Sequence, residues 1–197
     1  MAVEYHPGRV VGRADVAACA TFAGLTLLTH AANFAFIIIG GRLLSPGDFG
    51  DLTAILGVVL IGLAPGMAVQ SLTAAGLLGR PIVIDRRLAW RLSLAIGTVV
   101  AIVMIAVSTV LNLDSPTVVA AVAVAAAAIP LTAVNEGLLQ GHGHFMVLGT
   151  VMASGAITKL GLGPVGLWSS PTLGVAALAI AGGYAVQAGL SRFQTRG

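Results

Sequence analysis

The sequence has few charged residues, few aromatic residues and a single cysteine. Only 9% of its 197 residues are Asp, Glu, Lys or Arg, and only 5% are Phe, Trp or Tyr. A soluble domain of this length needs a charged surface to stay dispersed, and ten basic plus seven acidic residues cannot provide one. Cys19 stands alone, which excludes an internal disulfide and leaves the redox compartment open.

Apolar residues take the place of the missing charges. Hydrophobic residues make up 57% of the chain, glycine occurs 26 times, and the mean hydropathy is +1.00. This composition is typical of a protein whose solvent is lipid, so the sequence predicts an integral membrane protein. In a membrane protein, the positions of the positive charges indicate the orientation of the spans. The net charge of +3 is therefore not a sign of nucleic-acid binding, and we expect no nucleic-acid partner.

Six segments are long enough to cross about 30 Å of hydrocarbon, which takes roughly 20 helical residues. The connections between them are short and rich in Gly, Pro, Ser and Asp, which predicts one membrane domain over residues 16–190, with tails at 1–15 and 191–197. The fold class is therefore all-α and polytopic. The predicted spans are Val16–Ile39, Phe49–Leu78, Leu92–Leu113, Val118–Leu139, Phe145–Gly163 and Leu173–Leu190.

The positive charges predict the orientation of these spans. Only Arg42 falls on the opposite side from most of the basic residues, and Lys159 lies within a span. By the positive-inside rule, both termini are cytoplasmic and the chain lies in the inner (cytoplasmic) membrane. The basic residues that share the cytoplasmic side are Arg9, Arg13, Arg80, Arg86, Arg87, Arg91, Arg192 and Arg196.

The turn between the first two spans carries an unusual concentration of charge. Ser45, Pro46 and Asp48 have the pattern of a helix start, with serine as the N-cap, proline at the first position and a carboxylate at the third. Part of this charge is therefore explained by capping. Arg42 either extends to the lipid headgroups or has a functional role.

Two stretches of the chain resemble a transporter family. The segment NFAFIIIGGRLLSPGDFGDLTAILGVV, Asn33–Val59, is similar to the start of bacterial polysaccharide flippases of the multidrug/oligosaccharidyl-lipid/polysaccharide exporter superfamily. In that family a first helix with a polar residue leads into an R-x-L-x-P-x-x-F/Y-G corner. A second stretch, NEGLLQGHGHFMVLG, Asn135–Gly149, resembles the family's turn between helices four and five. The residues that match the corner are Arg42, Leu44, Pro46, Phe49 and Gly50.

The resemblance implies a function but covers only the N-terminal half of a family member. Such transporters have about twice as many spans, in two halves around a central cavity, and they move a lipid-linked oligosaccharide across the membrane with energy from an ion gradient or the membrane potential. A half-length chain then requires a second copy, a C-terminal-half partner chain or a longer gene product. His142 and His144 also stand where the family often has basic residues, which puts a lipid-phosphate contact at that turn in doubt.

Polar residues within the spans are the candidate binding residues, because an ionisable group in lipid costs about 2.5–3.5 kcal/mol on insertion scales. His30 and Asn33 share one face of the first span with Thr26, and Gln70 follows the Pro65-Gly66 pair in the second. Interhelical hydrogen bonds, or a helix kink at the proline, explain these residues as well. Lys159 either extends outward to the interface or points into a cavity that accepts an anionic lipid pyrophosphate. The substrate-binding candidates are His30, Asn33, Arg42, Gln70 and Lys159, and we expect Lys159→Ala and Arg42→Ala each to impair export.

Glu136 is the other ionisable residue within a predicted span. Counted from the helix ends, it lies about 15 Å from Lys159 along the membrane normal, which argues against direct contact. We therefore expect Glu136 to be an interfacial carboxylate beside Asn135.

Motifs of enzymes, cofactors and metals are missing from the sequence. No GxxxxGK[ST] phosphate loop and no nucleophile constellation occurs, so we expect neither an enzyme nor a cofactor. The two histidines of Gly141–His144 fall short of a metal site. The alternative to transport is a six-helix membrane subunit that acts as a scaffold for polysaccharide assembly, and a third option is an inactive remnant. Convergence of His30, Asn33, Gln70 and Lys159 on one water-accessible face would favour transport.

Overall fold

The computed structural model describes residues 13–76 and 115–195, together with isolated positions between 87 and 106. The two long described segments contain five helices, each long and apolar enough to cross a membrane. The protein is therefore an all-α, polytopic membrane protein, as the sequence predicts. The helices are α1 (Arg13–Leu43), α2 (Pro46–Gly76), α3 (Pro116–Gly141), α4 (Phe145–Ser169) and α5 (Leu173–Gln194).

The helices correspond to five of the six predicted spans. The predicted span Leu92–Leu113 lies outside the described residues except for isolated positions. The helices also run beyond the predicted limits, because α4 continues through Pro164 to Ser169 and α5 continues to Gln194. Hydropathy marks only the part of a helix that crosses hydrocarbon, while backbone hydrogen bonding continues into the interface.

The helices do not pack in chain order. α1 packs along α4, α2 packs along α3, and α5 lies between α3 and α4 and contacts both. α1 and α2 contact each other chiefly at their connecting turn, where Gly41 lies against the ring of Phe49 and Gly40 lies against Leu52. The neighbour order is therefore α1, α4, α5, α3, α2, and α5 joins the two outer pairs.

Small side chains dominate the contact surface of α3. Ala121, Ala125 and Ala126 are all buried in a core that includes Ala176 and Ile180 of α5. Small residues let helix backbones approach closely, which is how helices associate in a solvent as apolar as their own side chains. The alanine-rich start of α3 is therefore a packing surface.

The start of α2 has the predicted capping geometry. The backbone N–H of Asp48 donates to Ser45 Oγ at 3.1 Å, and the Ser45 hydroxyl donates to Asp48 Oδ2 at 2.6 Å. Pro46 occupies the first helical position, where its missing N–H costs no hydrogen bond. One acidic charge of the turn therefore stabilises the helix start.

We expect Ser45→Ala to lower the free energy of unfolding by about 1 kcal/mol, because it removes an N-cap acceptor. Thr172 provides a matched control, since it is the N-cap of α5 but makes no side-chain capping hydrogen bond. Thr172→Ala should therefore have a clearly smaller effect. Denaturant titration of both variants in mixed micelles measures the difference, and equal losses would contradict the capping role of Ser45.

Candidate functional site

A cavity of about 540 Å³ lies between the five described helices. Its volume falls within the range of about 300–1,000 Å³ that is typical of small-molecule sites. Most of its wall is apolar, and every one of the five helices contributes at least one polar side chain. These polar residues are Thr29, His30, Asn33, Gln70, Thr132, Glu136, Lys159, Tyr184 and Gln187.

Four of the five candidate residues line this cavity together. His30 and Asn33 come from α1, Gln70 from α2 and Lys159 from α4. Arg42 is exposed in the last turn of α1 and is not part of the lining. The four polar residues converge although they lie far apart in the sequence, because α1, α2 and α4 all border the same space.

Lys159 points into the cavity. Its ammonium lies 5.4 Å from the centroid of the Phe36 ring, within the distance of a cation–π contact. Phe36 is almost fully buried, with 1% of its surface exposed, so this contact is shielded from the lipid. Of the two orientations that the sequence allows, the side chain takes the one toward the cavity.

Glu136 is not the interfacial carboxylate that we expected. It is 6% exposed, lines the cavity and accepts a hydrogen bond of 2.6 Å from Gln187 Nε2 on α5. The expectation was wrong because position along a helix gives depth but not direction, and α3 packs against both α2 and α5. No ion pair joins Glu136 to Lys159 within the described part of the chain, although Gln187 brings the Glu136 carboxylate to the level of Gly155, four residues before Lys159.

A pair of glycines sets the contact between α4 and α5. A Cβ placed on Gly155 would lie 3.1 Å from Gln187 Cβ, and a Cβ placed on Gly183 would lie 3.1 Å from Lys159 Cβ and 2.7 Å from the Gly155 carbonyl oxygen. The helices run antiparallel, so each glycine makes room for a polar side chain of the other helix. The glycine pair thus brings Lys159 and Gln187 to the wall of one cavity.

Hydrogen bonds between side chains join the helices near the end of α3. Gln70 Nε2 donates to Gln140 Oε1 at 3.2 Å, and Asn135 Nδ2 donates to Ser191 Oγ at 3.2 Å. In the described residues, no buried side-chain nitrogen or oxygen is left without a hydrogen-bond partner. Such bonds hold membrane helices together where apolar contact with lipid gives no driving force.

Sequence reasoning missed several cavity residues. Thr132 and Glu136 lie four residues apart on α3, and Tyr184 and Gln187 lie three apart on α5, so each pair shares a helix face. Two polar residues at helical spacing in an apolar span were the available signal. The same spacing identifies His30 and Asn33 in the first span.

The described residues contain no group of three His, Cys, Asp or Glu side chains able to hold a metal ion. At the end of α3, the His142 ring nitrogen Nδ1 lies 2.7 Å from the Leu138 carbonyl oxygen and caps the helix end. The polar side chains that line the cavity are an ammonium, a carboxylate, amides and hydroxyls, groups that bind organic ligands through charge and hydrogen bonds.

Fold and cavity together define the class of protein, a polytopic α-helical membrane protein with a cavity between its helices that several polar side chains line. In comparisons with protein-family models, with curated proteins and with solved structures, the chain matches none of them. A narrower assignment therefore depends on the two resembling stretches and on the chemistry of the cavity.

Proposed function

We propose that this chain is a membrane transport protein of polysaccharide biosynthesis, which flips or exports a lipid-linked oligosaccharide across the cytoplasmic membrane. The observation that carries the proposal is the convergence of His30, Asn33, Gln70 and Lys159 on one cavity between membrane-crossing helices. Polar side chains in lipid are costly, and those that surround a shared cavity are typical of a transport path. The resemblance of Asn33–Val59 and Asn135–Gly149 to polysaccharide flippases supports the same function.

The cavity has the chemistry that such a substrate needs. Amide and hydroxyl groups of Asn33, Gln70 and Thr132 replace the water that a sugar loses on entering the membrane. The ammonium of Lys159 is suited to a phosphate of the lipid carrier, since charge-assisted hydrogen bonds are about twice as strong as neutral ones. The lipid tail stays in the bilayer, beside the exposed apolar side chains of the helices.

The proposal includes the setting of the chain in its membrane. Both termini lie in the cytoplasm, in accordance with the distribution of arginines along the sequence. The opposite wall of the transport path comes from a second copy, a C-terminal-half partner chain or the rest of a longer gene product. No nucleotide-binding motif is present in the sequence, so an ion gradient or the membrane potential drives transport.

One observation favours the alternative, a non-transporting scaffold of a polysaccharide assembly complex. The Gln70–Gln140 and Gln187–Glu136 hydrogen bonds join neighbouring helices, so these polar residues also serve helix packing. In this case the cavity is a by-product of a bundle that holds other membrane subunits in place.

Deletion of the gene in its host, followed by complementation, distinguishes the two functions. If the chain is a transporter, deletion removes surface polysaccharide and lipid-linked oligosaccharide accumulates on the cytoplasmic side. Complementation with the wild-type gene restores export, and complementation with Asn33→Leu, which replaces a cavity amide by an apolar side chain, does not. Full restoration by Asn33→Leu, or loss of polysaccharide without accumulation of the intermediate, would favour the scaffold.

A further inference from the structure

The cavity contains two ionisable groups of opposite sign that do not neutralise each other. The Glu136 carboxylate is bonded to the neutral amide of Gln187, and the Lys159 ammonium lies against the Phe36 ring. Taking a charge out of water is costly unless an opposite charge compensates for it. Within residues 13–76 and 115–195, neither group has a charged partner, so each can accept one from a ligand.

Each group also retains most of its hydrogen-bonding capacity. A carboxylate has about four acceptor positions, and Gln187 Nε2 uses one of them. An ammonium has three donors, and the contact that Lys159 makes with Phe36 is with an aromatic face rather than with an acceptor atom. The best partner for Glu136 is a cation with several N–H donors, and the best partner for Lys159 is an anion with several oxygens.

Both groups lie within reach of one ligand. The side chain of Gln187, which binds Glu136, packs against Gly155 on α4. Lys159 follows Gly155 by four residues, which is about 6 Å further along the helix. Both charges line the same cavity of about 540 Å³, so a ligand no larger than a short glycan is able to contact both.

We propose that this cavity recognises a zwitterionic substrate, a glycan phosphate in which a sugar near the phosphate carries a free amino group. The phosphate binds Lys159, and the ammonium of the amino sugar binds the carboxylate of Glu136, which Gln187 holds in place. This inference rests on the proposed function and specifies its substrate class. A glycan phosphate whose amino groups are all N-acetylated leaves the Glu136 charge uncompensated. A neutral sugar leaves the charges of both Glu136 and Lys159 uncompensated.

Four small probes test the two charges separately on the purified full-length protein in nanodiscs. The probes are glucosamine 1-phosphate, N-acetylglucosamine 1-phosphate, glucosamine and N-acetylglucosamine, which carry both charges, the anion, the cation and neither. Isothermal titration calorimetry is expected to give an affinity for glucosamine 1-phosphate about tenfold or more above that for either singly charged probe, because each charge-assisted contact adds to binding.

Variants then assign each charge to its residue. Glu136→Gln should abolish the preference for the free amine while leaving the affinity for N-acetylglucosamine 1-phosphate unchanged. Lys159→Gln should abolish the preference for the phosphate. Asp51→Asn and Arg192→Gln, which alter charges outside the cavity lining, are the matched controls and should bind like the wild type. Size-exclusion chromatography and circular dichroism verify that each variant is folded.

Two results would overturn the inference. If N-acetylglucosamine 1-phosphate binds as tightly as glucosamine 1-phosphate and its binding depends on Lys159, the amino-group subsite is disproved while the proposed transport of an anionic glycan lipid stands. If no probe binds, or if Glu136→Gln retains the full preference for the amine, the cavity does not select the charge pattern. The export assay in cells is independent of both measurements and tests the proposed function separately.

Discussion

Replacing Lys159 with alanine is expected to abolish export of surface polysaccharide while the protein still inserts and folds. The change removes the ammonium that lies in the cavity against Phe36. A hydrogen bond to a charged group contributes about 1.5–3 kcal/mol, so loss of the group should weaken phosphate binding by about ten- to a hundredfold. Surface polysaccharide and accumulated lipid-linked oligosaccharide, quantified in a complemented deletion strain, measure the effect.

Two further variants show whether the charge itself matters. Lys159→Met keeps a long side chain in the cavity but loses the ammonium, and it should be as defective as the alanine variant. Arg192→Ala removes an exposed positive charge from α5 outside the cavity and should export normally. Normal export by Lys159→Met would remove Lys159 from the binding residues.

Arg42→Ala is also expected to impair export, but that expectation depends on the family resemblance, since Arg42 lies outside the cavity.

The second large effect is expected at the glycine pair. A Cβ on Gly183 would lie 2.7 Å from the backbone oxygen of Gly155, a contact that only movement of α4 away from α5 relieves. We expect Gly183→Ala to reduce the free energy of unfolding by about 1–3 kcal/mol, the usual cost of overpacking. Because Lys159 and Gln187 are held at this contact, binding of the probes should weaken as well.

Gly161 on α4 is the matched control for Gly183, because no atom lies within 4 Å of a Cβ placed on it. Gly161→Ala should be neutral or stabilise the protein by up to about 1 kcal/mol, since alanine favours the helix over glycine. Thermal unfolding of both variants in the same micelles provides the comparison. Equal stability of Gly183→Ala and Gly161→Ala would show that the contact between α4 and α5 accommodates a methyl group at position 183 without loss of stability.

Much of the fold follows from the sequence because the physics of a bilayer is restrictive. Backbone groups in hydrocarbon must be satisfied within the chain, so a long apolar segment forms a helix. This rule predicts the five described helices, and the pattern at Ser45–Asp48 predicts the start of α2 to the residue. Proline is the residue from which the helix ends are hardest to predict, because it usually ends or kinks a helix. Here α2, α3 and α4 continue through Pro65, Pro130 and Pro164.

The candidate site is less predictable because membrane helices are apolar on every side. In a soluble protein the apolar stripe of a helix marks its buried face, but here hydropathy distinguishes little between the face that meets lipid and the face that meets protein. The sequence identifies four polar residues within apolar spans, namely His30, Asn33, Gln70 and Lys159. Their convergence on one cavity depends on which helices are neighbours in the bundle, and the sequence does not give this. Glu136 was misjudged for the same reason, since the neighbour that covers it, α5, is remote in sequence.

The reciprocal fit of the glycine pair has an evolutionary consequence. Gly155 on α4 accommodates Gln187 on α5, and Gly183 on α5 accommodates Lys159 on α4. The four positions therefore form two contact pairs between the helices. A larger residue at either glycine is compatible with this crossing only if the side chain opposite becomes smaller. Relatives of this chain should therefore keep all four residues or replace both members of a contact pair together. A relative that has a larger residue in place of Gly183 should have a smaller one in place of Lys159.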